Sequence, residues 1–140
     1  MILGVGVDLL NINRIETVFN KFSTRFVNRI LADEELELYK KAKNKINFLA
    51  KRFCAKEAFS KAIGVGIGRG LDMKDIILQN DRLGKPIVLL SDKGYNFLEQ
   101  YFEKDRNLIQ FNISITDESM LVNSFVVIST IGEENIKNLI

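Results

Sequence analysis

Residues 109–128 read IQFNISITDESMLVNSFVVI. Two apolar-rich runs, Ile109 to Thr116 and Met120 to Ile128, flank a short polar break at Asp117-Glu118-Ser119. Runs rich in Ile, Val and Phe, joined by so few residues, predict an antiparallel hairpin, because a parallel pair needs a crossover of about a dozen residues. A second unit of this kind lies upstream. Ile76-Ile77-Leu78 reads as a strand, Asn80-Asp81-Arg82-Leu83-Gly84 as a turn, and Pro86 to Leu90 as the return strand. Residues 2–9 predict a further, buried strand in which Gly4 and Gly6 permit close backbone approach and Asp8 stands near the end.

The stretches between these strands have helical spacing. Asn13 is the expected cap of a first helix, with Glu16 three residues on and Ile15, Val18, Phe19 and Phe22 on one side. Ser23 or Thr24 interrupts it, and Phe26, Val27, Ile30 and Leu31 predict another turn or two. A short helix starts near Ala32, and Lys40 to Lys45 reads as a basic loop. Residues 47–63 form the clearest helix, stopped by Gly64. Asp92 is the expected cap of a last helix running through Phe102, and the tail after Thr130 is assigned no element. Strand, helices, hairpin, helix, hairpin is not a strict βαβ alternation. It predicts an α+β fold with a mainly antiparallel sheet packed with helices.

At 140 residues the chain has the size of one domain, taken as residues 1–140. The net charge of +2 is too small for a general nucleic-acid binder. With one cysteine, Cys54, no internal disulfide forms, and with no histidine neither a Cys/His metal cluster nor a histidine-based nucleophile pair exists. Any metal must sit on oxygen ligands, which suits Mg²⁺, Ca²⁺ or Mn²⁺. The short apolar opening lacks a basic lead and ends in Asp8, and no run reaches the length of a membrane helix. The expectation is a cytoplasmic protein with no membrane partner.

Three features are candidates for chemistry. Along the helix 47–63, Ala55, Ala58, Phe59, Ala62 and Phe48 make a core stripe, while Glu57, Ser60, Lys61 and the stop at Gly64 line the other side. That side reads equally as a solvated face with a weak Glu57–Lys61 pair. Asp8, an acid in an apolar strand, is either paired or metal-bound, or lies at an edge in water. Gly64, Gly66, Gly68 and Gly70 form a loop that could cradle phosphate or simply be flexible. The loop follows a helix and breaks the dinucleotide spacing at Arg69 or Leu71.

These segments together resemble a known family. Gly4-Val5-Gly6-Val7-Asp8-Leu9 with Asn13-Arg14-Ile15-Glu16, the block Arg52-Phe53-Cys54-Ala55-Lys56-Glu57-Ala58-Phe59-Ser60-Lys61-Ala62-Ile63-Gly64, the hairpin Gly84-Lys85-Pro86, and Asn112-Ile113-Ser114-Ile115-Thr116-Asp117 resemble, in order, the motifs of holo-acyl-carrier-protein synthases. Two positions depart from the pattern. Asn112 stands where the family usually carries histidine, and Val65 where it commonly carries threonine. Asn112 keeps hydrogen bonding but does not titrate.

The resemblance implies a 4'-phosphopantetheinyl transferase-like fold assembling as a homotrimer, with active sites at subunit boundaries. It implies transfer of phosphopantetheine from coenzyme A to a serine of apo acyl carrier protein, in support of fatty acid biosynthesis. Asp8 and Glu57 are expected to bind Mg²⁺. With no histidine in the chain the base is a carboxylate, a metal-bound water or bulk water, and Asp8, directly or through a water, is the first choice among these. Lys61 pairs with the phosphates. Arg52, Ser60, Gly64, Gly66, Pro86 and Asn112 are expected around coenzyme A, with Arg52 or Lys51 at the 3'-phosphate. Arg14, Lys21, Phe22 and Arg25, followed by Phe26 and Arg29, are the expected dock for the acidic carrier protein. A related transferase with another carrier, a non-catalytic RNA- or nucleotide-binding module, and an inactive trimer-forming homologue are the rival readings.

Overall fold

The structure, a computed structural model, describes residues 1–132, so the rest of the tail lies outside the described residues. The hairpin at the end of the chain forms as expected. The strands Ile109–Glu118 and Leu121–Thr130 pair antiparallel along their whole length. The N-terminal strand, β1 (Ile2–Asn11), pairs antiparallel with the last of these. Between them come four helices, α1 (Ile12–Phe22), α2 (Thr24–Ile30), α3 (Asp33–Lys41) and α4 (Lys45–Ile63). The hairpin β2 (Ile76–Asn80) and β3 (Pro86–Leu90) and the helix α5 (Asp92–Phe102) follow. With β4 as Ile109–Glu118 and β5 as Leu121–Thr130, the larger sheet has the order β1-β5-β4 and the smaller is β2-β3. Every pairing is antiparallel, and the fold class is α+β, as expected.

Alternation along the strands divides the larger sheet into two faces. Gly4, Gly6, Asp8 and Leu10 of β1 lie opposite Ile128, Val126, Ser124 and Val122 of β5 on the inner face, against α4. Val5, Val7, Leu9, Leu121 and Phe125 lie on the outer face and are exposed. The two glycines of β1 have a definite reason. A Cβ at Gly4 would collide with the carbonyl oxygen of Ala62, and one at Gly6 with that of Ala58. Only a bare backbone lets β1 lie directly on α4.

Helix α4 is the central element, with one apolar cluster between it, the sheet, the small hairpin and α5, and another between it and α1–α3. It is therefore buried nearly all round rather than along one stripe. The expected core stripe holds at Ala55, Ala58, Phe59 and Ala62, whereas Phe48 is half-buried. Gly64 ends α4 in the left-handed region with φ 86°, the expected stop.

Three helix starts differ from expectation. The cap of α1 is Asn11, whose side chain accepts the N–H of Asn13 at 2.9 Å. A cap needs extended backbone so that its side chain reaches two residues ahead, and Asn13 is already helical. Likewise Ser91 caps α5 by accepting from the Gly94 N–H, and Asp92 is the first helical residue. Asn44 caps α4 and accepts from the Asn47 N–H, so the helix begins inside the expected basic loop.

Candidate active site

Asp8 leaves the inner face of β1 where the two glycines bring that strand onto α4. Its carboxylate meets the Lys61 ammonium at 2.8 Å, with the Asp8 side chain only 14% exposed and Lys61 54% exposed. Glu57 lies one turn before Lys61 on the same side of α4. Burial pushes the Glu57 carboxyl above the ordinary range, and the Asp8 charge adds to this while Lys61 opposes it. The bond to Asp8 raises Lys61 in turn. Asp8 from β1 thus meets the Glu57 and Lys61 side of α4, and Lys61, though exposed, pairs with Asp8 rather than with Glu57.

The backbone at Asp8 is also held in place. Asn123 on β5 donates its side-chain N–H to the Asp8 carbonyl at 3.1 Å, and the Cys54 thiol reaches the same oxygen at 3.4 Å. Burial first, and then the Asp8 charge, push that thiol up to about 12, so Cys54 is an inert packing group. Sequence reasoning assigned neither residue to the site, because nothing local to Cys54 or Asn123 points to Asp8.

The described residues hold no group of three or more His, Cys, Asp or Glu side chains placed for a metal. The Asp8–Glu57 pair nevertheless suits Mg²⁺. That ion is commonly bound by one or two carboxylates, with water and substrate phosphates completing its octahedron. A cation there would also relieve the repulsion that helps raise Glu57.

The glycine loop opens from the end of this site, where Gly64 caps α4 and a Cβ at Gly66 would meet nothing within 4 Å. Ser60 is placed differently from expectation. It is buried, and its hydroxyl donates to the Val65 carbonyl. It faces inward because α4 has packing on that side too, so it supports the loop from beneath rather than offering a free hydroxyl.

Arg52 and Pro86 lie together elsewhere. They line a pocket of about 440 Å³ with Lys41, Lys51, Asn80 and Gly84. The Arg52 guanidinium stacks over Phe48 at 4.4 Å, and Lys51 pairs with Asp117 at 3.0 Å. Asn112 is on neither site. It stands exposed on the outer face of β4, opposite Val127, on the far side of the sheet from Asp8.

Of the expected docking residues, Phe22 and Arg25 share a groove with Glu57, whereas Arg14 and Lys21 do not line it. A groove of about 490 Å³ is lined by Phe22, Arg25, Phe26, Arg29 and Ile30 on the helical side and by Glu57. Arg14 borders an adjoining groove with Phe26, and the Lys21 ammonium lies 5.3 Å from the Phe22 ring centre.

Sequence reasoning missed one cluster outright, the fully buried pair Glu35–Lys56 at 2.6 Å, with Arg52 Nε 3.2 Å from the same carboxylate. Glu35 sits in the run Asp33-Glu34-Glu35, which reads as an acidic first turn in solvent.

The family model described as the 4'-phosphopantetheinyl transferase superfamily matches residues 4–116. The chain is 42% identical over 131 residues to a holo-[acyl-carrier-protein] synthase of Orientia tsutsugamushi (strain Boryong), covering 92% of this chain and 98% of that one. The crystal structure of the holo-[acyl-carrier-protein] synthase from Neisseria meningitidis superposes with a TM-score of 0.85 at 37% identity, covering 93% of this chain and all of that one. The Helicobacter pylori holo-[acyl-carrier-protein] synthase in complex with coenzyme A gives a TM-score of 0.74 at 32% identity, covering 89% and 99%. Matched by the family model over residues 4–116 and aligned along most of its length with these proteins, the chain belongs to the 4'-phosphopantetheinyl transferase superfamily.

Proposed function

We propose that this chain, as one domain, transfers the 4'-phosphopantetheine arm of coenzyme A to a serine of apo acyl carrier protein in the cytoplasm. The products are holo acyl carrier protein and adenosine 3',5'-bisphosphate. The observation that carries this reading is the meeting of Asp8, Glu57 and Lys61 beside a glycine loop and a basic, aromatic groove.

In this reading Asp8 and Glu57 would hold Mg²⁺, and when bound the ion would supply neutralisation of charge on the phosphoryl oxygens. Lys61 is a point charge for the same phosphates. Gly64 and Gly66 leave the backbone open to them. The acceptor serine oxygen bonds to the phosphorus carrying the pantetheine arm as the bond from that phosphorus to the bridging oxygen breaks. The electron pair leaves with the bisphosphate, and the serine proton passes to Asp8, directly or through a water. Phe22 and Arg25, in the groove that Glu57 also lines, receive the acidic carrier, with Lys21 beside Phe22 and Arg14 on the adjoining groove.

The nucleotide half needs more than one chain. Arg52, Lys51 and Pro86 form a basic pocket separate from the acids, and Asn112 faces the opposite side of the sheet. The exposed apolar outer face at Val5, Val7, Leu9 and Phe125 supports assembly of a homotrimer. Such an assembly would set one chain's Arg52, Pro86 and Asn112 beside another chain's acids.

The deciding test is mass spectrometry of apo acyl carrier protein incubated with this protein, coenzyme A and Mg²⁺. A gain of the phosphopantetheine mass is expected, and an unmodified carrier overturns the reading.

A further inference from the structure

Lys56 heads the fully buried side chains in size among the described residues, an unusual place for an ammonium. Its Nζ donates to the Ile30 carbonyl at 2.6 Å and to Glu35 Oε2 at 2.6 Å. Glu35 is equally enclosed. It also accepts the N–H of Ala32 at 2.9 Å and that of Leu78 at 3.3 Å, with Arg52 Nε 3.2 Å from its other side. One charged cluster thus ties together the end of α2, the start of α3, strand β2 and the middle of α4. The Ile30 carbonyl is one of those a helix C-terminus leaves without an internal partner.

Stability alone does not account for such a pair, since apolar side chains of equal volume often hold a core as well or better. What the charges add is register, because only one placement of α2 satisfies the carbonyl, the carboxylate and the ammonium together. That placement bears on the site. Ile30 lines the same groove as Arg25, Phe26, Arg29 and Glu57, and Lys56 precedes Glu57 on α4, pointing inward as Glu57 points to the groove. We propose that Lys56 and Glu35 are positioning residues for the acceptor. They fix α2 against α4, so that a carrier protein held on the α1–α2 face presents its serine at Asp8 and Glu57. This rests on the transferase reading above and extends it to how the two substrates are treated differently.

The double variant Glu35→Gln/Lys56→Met tests it. It removes both charges of the pair and keeps one side-chain oxygen, which serves Arg52 Nε and the Leu78 N–H while the Ala32 N–H loses its acceptor. Thermal unfolding, coenzyme A affinity by calorimetry, carrier affinity by calorimetry, and steady-state kinetics in each substrate are the readouts. The expected result is a folded protein with coenzyme A affinity within about threefold of wild type. Its kcat/KM for the carrier should fall about tenfold or more, because small misplacements of reacting groups carry penalties of that order. Equal losses for both substrates, or no loss in either, overturn the proposal. So does a double variant that fails to fold, since the pair would then hold the core rather than aim the groove. A wild type that moves no phosphopantetheine sinks the transferase reading instead, and the two carrier affinities then decide the positioning claim.

Discussion

The Asp8 carboxylate of β1 and the Lys61 ammonium of α4 meet at 2.8 Å, across the one contact that Gly4 and Gly6 make possible. Asp8→Asn and Asp8→Ala should therefore lose transfer by at least ~10²-fold, the scale of removing a group that stabilises developing charge. Melting temperature should hardly change, because pairs with an exposed partner are worth only about 0–1 kcal/mol. Stopped assays beside a thermal melt check both halves, and full activity in either variant removes Asp8 from the mechanism.

Glu57 predicts a pH dependence. Burial and the Asp8 charge raise its folded-state carboxyl above the unfolded value, so folding favours the protonated form. That contribution is present below the unfolded value and is lost as pH rises through the raised one. Glu57→Gln should therefore be relatively more stable than wild type at neutral pH, with the difference shrinking in acid. Transfer by the wild type should fall as Glu57 protonates, since a metal ligand must be ionised. Melting curves and rates across the acid range read both.

Magnesium should raise the wild-type melting temperature in the presence of coenzyme A by mass action. In Glu57→Gln that rise should be small or lost. An equal rise in both proteins would take Glu57 out of the ligand set.

The contact between β1 and α4 tolerates no side chain at Gly6. Gly6→Ala drives a methyl into the Ala58 carbonyl, and overpacking of this kind costs about 1–3 kcal/mol. Denaturant titration should show that loss, with activity falling alongside as Asp8 is pushed from Lys61.

Reversing Arg14 and Arg25 to glutamate should slow association with the acidic carrier and flatten its salt dependence while leaving coenzyme A affinity alone. Phe125→Asp on the outer face should shift the mass seen by light scattering toward a single chain, and transfer should fall with it. A folded, unassembled and fully active Phe125→Asp would contradict a shared site.

Much of this was readable in advance. Two hairpins with tight breaks led to an antiparallel α+β fold, whereas spacing alone left Asp8, Glu57 and Lys61 open and only the resemblance of their segments to the family's motifs singled them out. What escaped reading depends on tertiary surroundings. Glu35 looks like any first-turn acid until Lys56 closes over it, and Ser60 looks solvent-facing until α4 proves buried on that side. The caps Asn11 and Ser91 escaped because either neighbouring polar residue fits the local pattern and only the backbone angle at the junction separates them.

Strand β1 carries Asp8 inward between Val7 and Leu9, which point outward. A one-residue insertion or deletion within it would swap the rows, burying valine where the acid belongs and turning the acid to the opposite face. Such length changes are survivable only ahead of Gly4, where an irregularity in the pairing with β5 already absorbs a shift. Past that point this strand can vary by substitution alone, since drift in its length would carry Asp8 away from Lys61.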